Sequence, residues 1–336
     1  MPRRILAGLV ALLALSACAP ATQQSSVSAT AVATATPTIG LTYIPNVQFS
    51  PFYLADADGD FARAGLAPTL RHHGASEGLF TAIAAGQEQF VIAGGDEMLQ
   101  ARAQGLDLIA VGAYFHEYPA VVIVPEASAI GSLADLKGHS IGIPGKYGEN
   151  WFALLVALRT AGLTEADVEI KEIGYTQQAA LSQGKVDAIV GFSNNEAVQF
   201  ALGGLATRSL AIADGQVPLV SICLITTSEY AKANPDVVRR VATAMLGGVK
   251  TAVTDPDHAL AASAKFVPGL SASAAQAAAK ATLVATAKLW VDASGEVSGK
   301  LDPDQWTAMA AFMTDHGLLT GDADAAAAMS NEYLPK

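Results

Sequence analysis

The sequence predicts an α/β protein built as two lobes, and three observations carry that prediction. Short apolar runs alternate with helical stretches from residue 39 onward, the pattern of a parallel sheet with helices on its faces. The alternation pauses near Pro125 and then starts again, which divides it into two units. Of the 336 residues 51% are apolar and only 15% charged, enough to fill a large core, and no apolar run after residue 18 reaches the ~20 residues of a membrane-spanning helix.

In the first unit Ile39 to Ile44 reads as a strand and Pro51 to Ala64 as a helix stopped by Gly65. Ala67 to His72 is a second strand. Ser76 to Ala85 is helical, with Ser76 as N-cap and Gly86 past its end. Phe90 to Ala93 is a third strand, halted by Gly94-Gly95-Asp96, and Glu97 to Ala103 is a helix. Leu108 to Ala113 is a fourth strand. In the second unit Ser132 to Gly138 is a short capped helix, with Ser first, Lys in its last turn and Gly beyond. Ser140 to Ile143 is a strand, Gly145 to Gly148 lies in a loop, and Glu149 to Ala161 is a helix with Gly162 after it. Val168 to Ile173 is a strand, Thr176 to Gln183 a helix and Val186 to Phe192 a strand. The apolar run over 219–226 returns to the first sheet, and from Tyr230 the chain is mostly Ala-rich helix. The organisation expected is a leader at 1–17, a tether at 18–37, one lobe from 38–124 with 217–336, and a second from 125–216. Two crossings make a hinge between the lobes, with a cleft at the strand C-terminal ends where α/β sheets bind ligands.

The first residues carry an address. Arg3 and Arg4 precede the apolar run Ile5 to Leu15, the length of an export signal. Leu15-Ser16-Ala17-Cys18 resembles a bacterial lipobox, which implies cleavage before Cys18, lipid on its sulfur and an extracytoplasmic protein anchored to a membrane. Residues 19–37 are uncharged Ala, Thr, Ser, Gln, Val and Pro, a flexible tether with a mean reach of roughly 25 Å. The formal charge is −11, and −13 once the two leader arginines are gone, so nucleic acid is excluded as a partner and a basic face does not supply the anchor. The other cysteine, Cys223, sits in an apolar strand-like run and reads as a buried, inert thiol.

Candidate binding residues fall at strand ends and helix starts, where a cleft would be. Asn46, Phe49, Phe52 and Tyr53 follow the first strand, Asp96 the third, and Tyr114, Phe115, His116 and Tyr118 the fourth. Tyr147, Glu149, Asn150 and Trp151 open the helix of the second unit, with Tyr147 and Trp151 four apart and so on one face. Tyr175 follows the next strand, and Asn194, Asn195 and Glu196 the last. Counting Phe192, ten of the 22 aromatic residues lie in these stretches, which suits a planar heteroaromatic ligand. The alternative is that several of these rings are core, Phe52 first among them. Asn194, Asn195 and Glu196 can match a ring edge that presents both donor and acceptor, or can simply form a turn with Asn195 capping a helix. His72 and His73 face opposite sides of a strand and cannot easily chelate together, so no metal site is expected. The loop at 145–148 lacks the P-loop spacing, no G-x-S-x-G occurs, and no catalytic residues are assigned.

Several segments resemble a known family. Leu133-Ala134-Asp135-Leu136-Lys137-Gly138-His139-Ser140-Ile141-Gly142-Ile143 is similar to the crossover segment of type-2 periplasmic substrate-binding proteins. Leu41 to Ala55, which contains Gln48-Phe49-Ser50-Pro51-Phe52-Tyr53, resembles the branch that binds thiamine pyrimidine precursors and, in a sister group, riboflavin. Phe192-Ser193-Asn194-Asn195-Glu196 is similar to that branch's second signature, in which Asn and Glu address the ring. The resemblance covers about 38–255. It implies a type-2 periplasmic-binding-protein-like fold and a monomeric lipoprotein that hands a vitamin, riboflavin first, to the permease and ATPase of an ABC importer. A thiamine pyrimidine precursor is the alternative. An alkanesulfonate or nitrate ligand is disfavoured because Lys146 is the one cation among the cleft candidates. A pyrimidine synthase is disfavoured too, since that branch resembles a chain with a Cys-rich motif absent here. No cofactor is expected beyond the transported ligand.

Overall fold

The computed structural model describes residues 34–335 apart from 43, 75, 76, 216 and 322. The leader, Cys18 and the tether up to residue 33 lie outside the described residues. Residues 35–37 do not belong to a free tether: Ala35 forms a parallel bridge with Leu66, and its N–H donates to the Gly65 carbonyl at 3.0 Å.

The chain first forms β1 (Thr38–Leu41), α1 (Ser50–Ala57), α2 (Asp60–Arg63), β2 (Thr69–His72), α3 (Thr81–Ala84), β3 (Phe90–Gly94), α4 (Gly95–Ala103) and β4 (Leu108–Ala113). It crosses to β5 (Ala120–Pro125), β6 (Ser140–Ile143), α5 (Gly148–Thr160), β7 (Glu169–Glu172), α6 (Gln177–Ser182), β8 (Ala188–Phe192), α7 (Glu196–Leu202) and β9 (Thr207–Leu210). It returns as β10 (Ile222–Thr227) and closes with α8 (Ser228–Ala233), α9 (Pro235–Thr254), α10 (Pro256–Ser263), α11 (Ser273–Thr286) and α12 (Pro303–Asp315).

Two five-stranded sheets result, ordered β2-β1-β3-β10-β4 and β7-β6-β8-β5-β9. Each is parallel except for one reversed strand, β10 in the first and β5 in the second. The reversed strand is in each case the first one made after a crossing, so the two α/β lobes share one plan. The expected two-lobed α/β architecture is therefore present. Residues 120–124, expected in the first lobe, instead pair within the second sheet together with Pro125.

Alternation along the strands fills both faces of each sheet. Ile39, Leu41, Phe90, Ile92, Val111 and Leu224 face the layer made by α1, α9 and α11, while Val91, Ala93, Ala110, Cys223 and Ile225 face the other way. Cys223 is fully buried, and burial with Asp96 and Glu149 nearby pushes its thiol pKa up, which leaves it unreactive. In the second sheet Val122, Val124, Ile141 and Val190 pack on α5, and Ile123 and Ile189 pack on α6 and α7.

Three departures from the sequence reading have plain causes. The helix expected over 51–64 is two, because Gly59 takes a left-handed conformation (φ +75°) after Asp58 and ends α1. The strand β5 is an unbroken apolar run without alternation, since both its faces are buried. The edge strand β9, Thr-Arg-Ser-Leu, carries no apolar pattern at all.

The helix α9 presents Val238, Val241, Ala242, Met245, Val249 and Ala252 on one buried stripe. Against it lies α1, and Gly248 is where the two come closest. A Cβ there would stand 2.0 Å from the Pro51 carbonyl oxygen. Gly248→Ala is therefore expected to destabilise the fold by about 1–3 kcal/mol in urea unfolding, against the ~1 kcal/mol that alanine's helix propensity would gain. An unchanged or raised midpoint would contradict the close approach.

Candidate ligand-binding site

A cavity of about 830 Å³, mouth included, lies between the two sheets and draws its wall equally from both lobes. The first lobe contributes Phe49 from the turn before α1, Glu97 from α4, Tyr114 and Phe115 from beyond β4, and Gln48 and Leu79. The second contributes Tyr147, Glu149 and Asn150 from the start of α5, Tyr175 and Gln177 from the start of α6, and Phe192, Asn195 and Glu196 from the end of β8. No Lys, Arg or His borders it among the described residues.

The rings are held from behind. Tyr114 stacks on Phe115 with centroids 5.3 Å apart, donates its hydroxyl to the Gln48 carbonyl at 2.6 Å, and meets Trp290 edge-on. Phe49 meets His72 edge-on at 5.6 Å. On the second lobe Asn150 donates to the Val190 carbonyl at 3.0 Å, which fixes the first turn of α5 to β8. Glu196 is tied down locally, since its Oε2 accepts the Phe192 N–H at 2.7 Å and its Oε1 the Asn195 amide at 3.1 Å.

The floor is a knot of acids at the hinge. Asp96 and Glu149 occupy the first turns of α4 and α5, one from each lobe. The Tyr118 hydroxyl, on the first crossing, contacts Asp96 Oδ2 at 2.8 Å and the Glu149 carbonyl at 3.3 Å. Ser221, on the second crossing, donates its hydroxyl to Glu149 Oε1 at 2.9 Å, and its carbonyl accepts the Gly95 N–H at 3.0 Å. Burial pushes the Asp96 carboxyl up to about 7, partly offset by the Tyr118 bond. Burial and the Asp96 charge push Glu149 up to about 8, and the same two causes with Glu149 raise Glu97 well above the ordinary range.

Of the expected site residues, Phe49, Tyr114, Phe115, Tyr147, Glu149, Asn150, Tyr175, Asn195 and Glu196 meet at the cavity. The other eight do not border it; His116 donates its backbone N–H to the Leu289 carbonyl at 2.7 Å. Asn46 caps the turn at 47–49 by accepting the Gln48 N–H. Phe52 and Tyr53 are wholly buried in the first lobe's core: Phe52 packs on Tyr114, and Tyr53 stacks on Phe266 at 4.2 Å. Asp96 and Tyr118 bond to each other behind the wall. Trp151 packs into the core beneath the Lys146 ammonium, which lies 5.1 Å from its ring and pairs with Glu165. Asn194 turns toward α11 and donates to Thr286 Oγ1 at 2.8 Å, a bond between lobes. Asn195 stands at the N-cap of α7 but makes no side-chain cap.

Sequence reading missed Glu97, Gln177, Leu79 and Thr42 as lining residues. Glu97 had a signal: it stands three residues after Gly94 and reaches back to that residue's N–H, the spacing of a capping box.

The pattern of the NMT1/THI5-like family matches residues 46–259. The chain belongs to that family. It is 31% identical to the riboflavin-binding protein RibY of Chloroflexus aurantiacus, over 98% of this chain and 96% of that one. It is 25% identical to the formylaminopyrimidine-binding protein of Halalkalibacterium halodurans, over 76% of this chain and 77% of that one. Its fold is that of the periplasmic substrate-binding proteins. The alkanesulfonate-binding protein SsuA of Xanthomonas axonopodis pv. citri superposes with a TM-score of 0.68 at 23% identity, covering 89% of this chain and 99% of that one.

The acids predict a pH response. Asp96 and Glu149 titrate at about 7 and about 8 when folded, against roughly 4 in an unfolded chain, so the folded state holds more protons between those limits. Stability falls as pH rises through that window, because the cost of the buried charge accumulates there. Glu149→Gln keeps a partner for Ser221 without the titration. Its melting temperature should fall less than the wild type's from about pH 5 to about pH 9, and parallel curves would contradict the assignment.

Proposed function

We propose that this protein captures riboflavin between its two lobes and delivers it to the permease and ATPase of an ABC importer. The coarser statement, a substrate-binding protein of the NMT1/THI5 type, follows from the family. The observation that carries the finer one is the cavity itself: rings on both walls, amides and carboxyls between them, and no cationic lining residue among those described. Two stacking faces at ~0.5–1.5 kcal/mol each beyond buried area are worth a factor of roughly 5–150 in affinity. The full-length similarity to a riboflavin-binding protein supports the same ligand. Closure follows as a population shift, since only the closed form places both walls on the ring.

The cavity counts against an anionic ligand. A sulfonate or nitrate would meet Glu97, Glu149 and Glu196 with no positive partner among the described lining residues. A pyrimidine precursor remains a second reading, because it suits the same ring-lined wall and a relative binds such a compound. Binding in place of catalysis is supported by the riboflavin-binding and formylaminopyrimidine-binding relatives. The same proposal places the mature chain outside the cytoplasm as a monomer, held through lipid on Cys18, with the chain before residue 34 as leader and tether.

Riboflavin fluorescence should be quenched on titration with the pure protein, with a Kd below about 1 µM. Absence of binding at about 100 µM would overturn the flavin assignment, and a thermal shift with a pyrimidine precursor in its place would establish the second reading.

A further inference from the structure

Two carboxamides at the cavity wall are left without partners, one from each lobe. Gln48, in the turn before α1, is 8% exposed, and Gln177, the first residue of α6, is 5% exposed; both line the cavity. Neither amide makes a hydrogen bond among the described residues, yet neither is sealed off as Ser50 Oγ and Asn194 Oδ1 are. What surface each amide keeps opens on the cavity that its residue lines. The cavity's carboxylates, in contrast, are engaged: Glu196 with Phe192 and Asn195, Glu149 with Ser221, Glu97 with Gly94. Sheet order sets the two amides apart from the hinge. The crossings leave β4 and β9 and arrive at β5 and β10, whereas Gln48 follows β1, two strands from β10, and Gln177 follows β7, three strands from β5. The glutamines therefore stand on opposite walls, on the side of the cavity away from the crossings.

A largely buried amide without a bond is costly, and a ligand that supplies the bond relieves the cost. Each carboxamide offers two N–H donors and a carbonyl acceptor. Resting on the flavin reading above, we infer that Gln48 and Gln177 hold the ligand's polyol chain between the lobes and so select ring systems that carry one. The number and placement of the amides decide between the two polar parts of riboflavin. The imide edge is a single N–H between two carbonyls, and one amide in its plane completes it. The ribityl chain carries hydroxyls on successive carbons, each both donor and acceptor and free to rotate, so it meets two amides on opposite walls at once. A chain gripped from both lobes also ties them together when the cleft shuts, on the side where no crossing does so. Discrimination comes from the unmade bonds, as in any site built to pair buried polar groups with its ligand.

The test compares riboflavin with lumiflavin, the same ring with a methyl group in place of the polyol, by fluorescence titration of wild type, Gln48→Met, Gln177→Met and the double variant. Methionine keeps the length of the side chain and removes its hydrogen bonds. Wild type should prefer riboflavin by about tenfold or more. Each single substitution should weaken riboflavin by about threefold to tenfold and leave lumiflavin within about twofold of its wild-type affinity. The double variant should bring the ratio of the two ligands to within about threefold of unity. The reading is a ratio within one preparation, so a change in folded fraction cancels, and alanine replaces methionine at either position should a variant not fold. Equal affinity of wild type for both flavins, an unchanged ratio in the double variant, or an equal loss for both ligands would overturn the polyol contact while leaving flavin binding intact. Failure of wild type to bind either flavin would overturn the ligand assignment and this inference with it.

Discussion

The two lobes meet where the first turns of α4 and α5 come together at the hinge, and the acids placed there organise the rest. Each crossing supplies one residue that bonds to both helices. Tyr118 joins the Asp96 carboxylate of α4 to the Glu149 carbonyl of α5. Ser221 joins the Glu149 carboxylate to the Gly95 N–H. Free N–H groups and the helix dipole favour negative charge at such ends, and desolvation opposes it. Here desolvation wins, because Asp96 is wholly buried and Glu149 nearly so. The result is a compact hydrogen-bonded floor that fixes the starts of α4 and α5, and with them Glu97, Tyr147 and Asn150.

From that floor the cavity walls rise as two sets of rings with different support. Those of the first lobe are backed by a dense aromatic core, in which Tyr114, Phe115, Phe52 and Trp290 touch in series. Those of the second lobe stand on the starts of α5 and α6, and Tyr147 is 38% exposed. The lobes are also joined away from the floor, where Asn194 reaches Thr286 on α11. A rigid wall facing a more exposed one, with a fixed base between them, is a geometry that can open without losing its register.

Much of this was legible in the sequence, and what was not has physical reasons. The strands at 108–113 and 140–143 stand where the sequence places them, because each is a short apolar run closed by clear turn signals. Aromatic clustering located the cavity but could not separate its lining from its backing. Phe52 and Tyr53 follow Phe49 on a helix buried on nearly every side, so no polar face marks which rings look outward. At Asp96 the reading fell one residue short: a chain turning from strand to helix sends neighbours in different directions, and Glu97 faces the cavity while Asp96 faces the hinge. Asn194 and Asn195 divide in the same way. Trp151 lies four residues from Tyr147, but Tyr147 is the extended N-cap and not yet in the helix, so the two do not share a face.

A crystal structure of the protein grown with riboflavin tests the central claim most directly. The account predicts the isoalloxazine ring inside the cavity, between Phe49 and Phe115 on one side and Tyr147 and Tyr175 on the other, with the Tyr118–Asp96 and Ser221–Glu149 bonds unbroken beneath it. An empty cavity with flavin bound elsewhere, or a bound form in which those hinge bonds are lost, would contradict it.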